Sequence, residues 1–327
     1  MNKLLVICGP TAVGKTGLAI HLASTFGGEL ISADSRQVFK RMDIGTGKDL
    51  PVNVKCQISN VKCGRKKICF YRVSGVRIWG YDLIEPGEEF SVVEYIKIAR
   101  LVIKDIWSRK KIPILVGGTG FYIKGLVDGI PTAGVARDDD LRKALEGKDI
   151  GELFEMLRGI DPIKAASLNA SDRKNSRRLI RAIEVAYHKK RGGVFAKDRF
   201  VKKEDSVLFI GLRVPREIID RRIKGRLEKR VKQGIESEIR SLLSWGVSWD
   251  SQSMSSLGYR QWKSYFAGEA TKEKVVGEWV KQERSYVRRQ MTWFKRDRRI
   301  AWFDMSEPGA KMRIENVVKE WHNLNDS

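Results

Sequence analysis

Cysteine is scarce in this 327-residue chain. It has four, and none stands in a Cys-x-x-Cys pair. Cys56, Cys63 and Cys69 lie close together but without paired metal-ligand spacing, and the three histidines (His21, His188, His322) are scattered. These absences exclude a structural zinc site and predict reduced, cytosolic thiols. Long apolar runs are missing too. No segment approaches the ~20 residues of a membrane span. Only the short apolar run Leu4–Cys8 separates Lys3 from Gly9-Pro10, too short for a secretory signal. A cytoplasmic protein without membrane association is expected. Acid is the third deficit: 40 Asp plus Glu stand against 63 Lys plus Arg, a formal net charge of +23. That imbalance fits a polyanionic partner, nucleic acid before a membrane surface.

What the chain does have is a phosphate loop. Gly9-Pro10-Thr11-Ala12-Val13-Gly14-Lys15-Thr16 fits G-x-x-x-x-G-K-[ST]. An apolar strand, Leu4–Cys8, precedes it. A helix follows, with Leu18, Ala19, Leu22 and Ala23 at helical spacing and Gly27-Gly28 as the stop. Glycines let the backbone wrap a polyanion, a helix N-terminus supplies N–H donors and Lys15 adds a point charge. Thr16 can hold a magnesium ion. Alone, the loop reads as ATP-binding.

Further on, residues 29–34 read as a second strand ending in Asp34-Ser35-Arg36-Gln37. Ligands of open α/β sheets bind at the carboxyl ends of strands, which brings Asp34 to the phosphate loop; a plain helix cap is the alternative for this acid. Residues 52–80 alternate in polarity and read as an antiparallel hairpin or small sheet decorating the core. Ser91-Val92-Val93-Glu94 is a capping box opening a helix. Strand Ile112–Val116 runs into a second glycine turn, Gly117-Gly118-Thr119-Gly120. From about 130 to 203 the pattern is helical and the region from 173 is dense in Lys and Arg, including Lys197 and Lys203. A fourth core strand, 207–212, precedes one long helix from about Arg216, whose core stripe runs Ile219, Ile223, Leu227, Val231, Ile235, Ile239. Arg222, Arg226 and Arg230 share a face of it. A basic helix over about 272–296 interleaves arginine with Tyr286, Trp293 and Phe294, a composition suited to RNA. A short strand at 300–304 and a helix over 311–324 close the chain. The expected architecture is α/β: a parallel-sheet core from 1–130 and 204–327, a helical basic insertion at 131–203, and a β insertion at 52–80.

Taken in order, several motifs carry a resemblance. Gly9 to Thr16, Ile31 to Phe39, Met42-Asp43-Ile44-Gly45-Thr46, Gly117-Gly118-Thr119, Arg178 to Glu184, Gly258-Tyr259-Arg260-Gln261 and Arg289-Gln290-Met291-Thr292-Trp293 together resemble the tRNA isopentenyltransferase family, over nearly the whole length. The resemblance implies transfer of a dimethylallyl group from dimethylallyl diphosphate to N6 of adenosine 37 of tRNA, by a monomer with Mg2+ as cofactor. It implies that Gly9 to Thr16 grip the diphosphate, with Thr16 on the metal, and that Arg226 stabilises the leaving group. Asp34 then matches the general base, and Thr119 a residue near the target nucleotide. Asp34, Ser35, Arg36, Gln37, Arg142, Arg177, Arg178, Arg181, Gly258, Tyr259, Arg260, Gln261, Arg284, Arg288, Arg289 and Gln290 match tRNA-contacting positions, with the helical insertion clamping the anticodon stem-loop. The 52–78 segment is longer than in compact bacterial members, and the eukaryotic C-terminal zinc finger has no counterpart here. Rival functions are a P-loop kinase, a prenyltransferase of free adenine nucleotides and a non-catalytic RNA-binding module. The first leaves the basic C-terminal helix unexplained, the second has no use for a helical RNA clamp, and the third would make Asp34 dispensable.

Overall fold

The computed structural model describes residues 1–51, 53–195, 199–202 and 204–323. Val52, Lys197, Lys203 and Leu324, which the patterns above include, lie outside the described residues. The chain divides into two units, residues 1–127 with 201–327, and residues 128–200.

The larger unit is built on an eight-stranded sheet. Its strands are β1 (Lys3–Cys8), β2 (Gly28–Ser32), β3 (Gln57–Cys63), β4 (Lys66–Val73), β5 (Val76–Trp79), β6 (Ile112–Gly117), β7 (Ser206–Arg213) and β8 (Ile300–Asp304). The spatial order is β3-β4-β5-β2-β6-β1-β7-β8. From β5 to β8 every neighbouring pair is parallel. Strands β1, β2 and β6 are almost wholly buried, as parallel strands covered on both faces must be. Around them lie α1 (Lys15–Phe26), α2 (Val92–Ser108) and α3 (Gly120–Asp128). Gly27, in the left-handed region at φ 67°, ends α1. The Ser91/Glu94 capping box opens α2, whose buried side is Tyr95, Ile96, Ala99, Val102, Ile103 and Ile106.

Two expectations change here. Segment 57–79 extends the core sheet instead of forming a small one of its own. Strand β5 pairs with β2 (Leu30↔Ile78, Ile31↔Trp79), because Val76, Ile78, Trp79, Ile68 and Phe70 bury their side chains. Reduced thiols throughout were also expected, yet Cys56 and Cys69 form a disulfide. Pairing of Ile58 with Cys69 brings Cys56 alongside, at a Cα–Cα separation of 5.7 Å.

The smaller unit is helical: α4 (Asp139–Leu145), α5 (Ile150–Ile160), α6 (Pro162–Ser167), α7 (Ala170–Arg173) and α8 (Ser176–Lys190). Its core joins Leu145, Leu153, Leu157, Leu179 and Ile183. Back in the larger unit come α9 (Arg216–Lys232), α10 (Ile235–Ser244), α11 (Lys263–Phe266), α12 (Lys272–Phe294) and α13 (Ala310–Asn323). The single long helix expected from Arg216 is therefore two. Gly234, at φ 96°, breaks it, and the apolar stripe continues into α10 in a new direction. Among the described residues no helix is long and apolar enough to cross a membrane.

Candidate active site

Three chain segments meet at the carboxyl edge of the parallel strands. The first is loop 9–16, after β1. Gly9 sits at φ 135°, Ala12 at 64° and Gly14 at 93°. A Cβ on Gly9 would lie 2.4 Å from the Leu212 carbonyl oxygen, so glycine is needed there. Lys15 Nζ donates to Pro10 O at 2.6 Å, and Arg222 Nη1 donates to Ala12 O at 3.2 Å. Thr16 is exposed on the first turn of α1. No group of three or more His, Cys, Asp and Glu gathers to hold a metal among the described residues.

The second segment, Asp34–Gln37, follows β2, and the third, Gly117–Gly120, follows β6. They are stitched together. Thr119 N donates to Ala33 O at 3.1 Å, and Ser35 N donates to Thr119 Oγ1 at 3.1 Å. A Cβ on Gly117 would meet the Ala33 carbonyl oxygen at 2.2 Å. Gln290, on α12, ties the first segment to the third: its Oε1 accepts from Thr11 N at 2.9 Å and its Nε2 donates to Gly118 O at 3.0 Å. An added Cβ on Gly118 would collide with that Nε2 at 2.2 Å.

Asp34 is half-buried. Its Oδ1 accepts from Arg36 N at 2.8 Å, a local turn with no helix after it, so the cap alternative does not hold, while Oδ2 takes no hydrogen bond among the described residues. Burial lowers Lys15 to a pKa of about 8, with Asp34 pulling it back up and Arg226 pushing it down. Lys15, Asp34 and Arg226 are thus in one electrostatic neighbourhood. Arg226 lies 3.6 Å from Glu283, and buried Arg230 lies 3.9 Å from the same carboxylate. Burial first, then Arg226, holds Arg230 down to about 10. The Nε of both arginines is buried without a hydrogen-bond partner. A buried donor left unpaired costs about 1–3 kcal/mol, and here two arginines share the one carboxylate of Glu283. Burial, then Asp34, raises the Tyr286 phenol above the ordinary range, with nearby Thr119 pulling it part of the way back. Tyr122 is raised likewise, by burial first and Asp34 next.

The other residues expected at the site divide into two kinds. Some are committed inside the protein. Gln37 accepts from Ser32 Oγ at 2.8 Å and donates to Gly47 O at 3.0 Å. Tyr259 is buried with its hydroxyl on Glu238 at 2.6 Å, and buried Gln261 bonds Gly258 N and Gln282. Gly258, at φ 93°, leaves no space for a Cβ beside Trp279. Arg36 donates to Gln252 O at 2.9 Å. Others are exposed. Arg260 bonds Gln282, Arg284 pairs with Asp220 at 3.1 Å, and Arg288 donates to Ser285 at 3.0 Å. Arg288 and Arg289, with Ser285, Thr292, Trp293 and Arg296, line a cavity of about 440 Å³. Of the aromatics on α12, Phe294 is core at 3% exposure while Trp293 is 40% exposed.

Within the helical unit, Arg142 grips Glu184 with two bonds (2.7 and 2.9 Å). Arg181 bonds Glu184, Thr132 O and Val135 O. Arg178 pairs with Asp172. Arg177 is exposed and has no ion pair or hydrogen bond among the described residues.

Sequence reasoning missed the buried Glu283 and the half-buried Glu238. Glu283 collects Arg226, Arg230 and Trp279 Nε1. Glu238 accepts from the backbone N–H groups of Asp43, Ile44 and Gly45 at 2.8, 2.8 and 3.1 Å. Glu184 carried a signal, as an acid beside the buried stripe of a helix otherwise rich in arginine.

Comparison with known proteins gives one family. The family model described as "IPP transferase" matches residues 37–297, and one described as "Isopentenyl transferase" matches residues 2–59. The chain is 36% identical over 325 residues to the tRNA dimethylallyltransferase of Carboxydothermus hydrogenoformans, covering 98% of this chain and 97% of that protein. It is 37% identical to the one of Roseiflexus castenholzii, covering 98% of each. The crystal structure of full-length tRNA isopentenylpyrophosphate transferase from Bacillus halodurans superposes with a TM-score of 0.68 at 31% identity, over 100% of both chains. A eukaryotic dimethylallyltransferase acting on tRNA shares the fold, with a TM-score of 0.76 at 22% identity over 99% of this chain and 80% of that one. By these matches, laid over a site of glycine loop, open carboxylate and two arginines on one glutamate, the chain belongs to the IPP transferase family.

Proposed function

We propose that the protein transfers the dimethylallyl group of dimethylallyl diphosphate to N6 of adenosine 37 in a tRNA anticodon loop, releasing diphosphate. The observation that carries this reading is an open carboxylate, Asp34, in one electrostatic neighbourhood with Lys15 of the glycine loop and Arg226. Loop 9–16 and Lys15 take the diphosphate, and Arg226 stabilises its growing charge as the allylic C–O bond breaks. Adenine N6 is a weak nucleophile because its lone pair is delocalised into the ring. Asp34 Oδ2 takes the N6 proton as the new C–N bond forms. Thr119, whose hydroxyl accepts from Ser35 N, positions the adenine, which leaves the anticodon-loop stack to reach the donor.

The exposed Thr16 hydroxyl fits Mg2+, which keeps several waters and leans on substrate phosphates more than on protein ligands. When bound, that ion would neutralise part of the diphosphate charge. The exposed arginines of α12, and Arg177 in the helical unit, suit the RNA backbone. The helical unit is assigned to the anticodon stem-loop.

Nucleoside mass spectrometry tests the reaction, with unmodified tRNA, dimethylallyl diphosphate and Mg2+. An isopentenyladenosine peak dependent on all components is expected. A phosphorylated product formed with ATP, and no prenylated nucleoside, would sink the assignment.

A further inference from the structure

Between Asp49 and Asp82 the sequence has no acidic residue and seven Lys or Arg. Four of these, Lys62, Arg65, Lys66 and Lys67, crowd the turn joining β3 to β4, and all four are exposed. Lys62 and Lys67 are directly paired across the two strands. Like charges directly opposite each other weaken a strand pair. Lys66 has Glu88 at 3.6 Å, whereas Lys62, Arg65 and Lys67 have no ion pair among the described residues. An edge strand uses lysine to resist pairing with other chains. That accounts for Lys62 on β3, but not for Arg65 in the turn or for Lys67 on the interior strand β4.

The register says where this turn points. Phe70 on β4 pairs with Trp79 on β5, and Trp79 pairs with Ile31 on β2. Lys66 stands four residues beyond that level and Asp34 three, in the same direction along the strands. At about 3.3 Å per residue and roughly 4.8 Å per strand, the turn projects past the carboxyl edge, on the order of 10 Å to the side of Asp34. The Cys56–Cys69 disulfide and the buried Ile68 and Phe70 fasten the hairpin at its base.

We infer that the β3–β4 turn is an additional RNA-binding surface, whose Lys62, Arg65 and Lys67 take backbone phosphates of the tRNA beside the nucleotide presented to Asp34. This rests on the prenyl-transfer reading for the identity of the RNA, and the test separates the two.

Binding of unmodified tRNA is measured across a salt series without dimethylallyl diphosphate, so that no chemistry is involved. The proteins compared are wild type, the triple variant Lys62→Gln/Arg65→Gln/Lys67→Gln, the double variant Lys62→Arg/Lys67→Arg, and Arg65→Glu alone. Loss of three phosphate contacts is expected to weaken binding about tenfold or more at ~0.1 M salt and to lower the salt slope by about 2–3. The arginine pair should keep both. Arg65→Glu, in an open turn, repeats the loss in direction even if the triple variant folds poorly. In turnover, KM for tRNA rises while kcat at saturating tRNA and KM for the prenyl donor stay unchanged. Unaltered affinity and slope in the triple variant and in Arg65→Glu would overturn the proposal, leaving edge protection as the role. So would a loss confined to binding of phosphatidylserine vesicles. Wild type that binds tRNA through this turn but forms no prenylated nucleoside would instead count against the reaction and spare the surface.

Discussion

Asp34 is where the sequence offered two readings, and the helix cap is not one the structure keeps: no helix begins after it. One oxygen makes the short turn to Arg36 N and the other is left open beside Lys15 and Arg226. General-base help is worth typically 10²–10⁴-fold. Asp34→Asn, which keeps the turn, is therefore expected to lower kcat by about that factor. tRNA affinity in a filter or anisotropy assay should change less than about threefold on the same argument. Near-normal turnover would remove Asp34 from the base role. Lys15 makes a second prediction. Burial lowers its pKa from 10.5 to about 8, so the folded protein disfavours the charged form. Between those values the unfolded chain binds the proton more tightly, and this residue's contribution to stability rises with pH across that window. Donor capture needs the charged lysine. In the free enzyme, kcat/KM for dimethylallyl diphosphate should fall as pH rises through about 8. A bound diphosphate restores the charge, so kcat should hold to higher pH. Parallel pH profiles of the two parameters would count against it.

Helices α9 and α12 form the element that completes the site. Arginines on α9 and Gln290 and Glu283 on α12 reach the same edge of the sheet from different parts of the chain. Removing one partner of a buried charge cluster costs about 3–5 kcal/mol because the other charges are left uncompensated. Glu283→Ala is expected to lose stability at the lower end of that range, since Arg226 is partly exposed. Inorganic diphosphate, by supplying the missing anion, should raise the Tm of this variant more than that of wild type. Calorimetry of both proteins with and without diphosphate checks this, and an equal rise in both would show that the arginines do not face the ligand. The pairing was invisible in the sequence: Arg226 and Glu283 are both charged residues on helices of high charge density, where a solvated face is the ordinary outcome.

At the scale of the molecule, a net charge of +23 belongs to an RNA-binding surface only where the cations are unspent. Many here are spent. Glu184 engages Arg142 and Arg181, and Asp220 engages Arg284. Arg177 is unspent, so Arg177→Gln should weaken tRNA binding across sequences and lower the salt slope by about 1. Salt-series titrations decide it, and a slope equal to wild type would take Arg177 off the RNA.

The sequence by itself determined the core strands in their chain order, the glycine loop with its lysine, the acid and glycine turn that follow the next core strands, and the family. Those features are local: apolar runs of strand length, helical spacing and glycines at turns act through neighbours in the chain. Only the tertiary structure decided which polar residues remain available. Gln37, Tyr259 and Gln261 are consumed by contacts across the fold, Gln290 becomes the tie between two loops, and Gly234 turns one expected helix into two. It also joined the 57–79 strands to the core and closed the Cys56–Cys69 bridge, because strand register, which spacing alone leaves open, sets which side chains face one another.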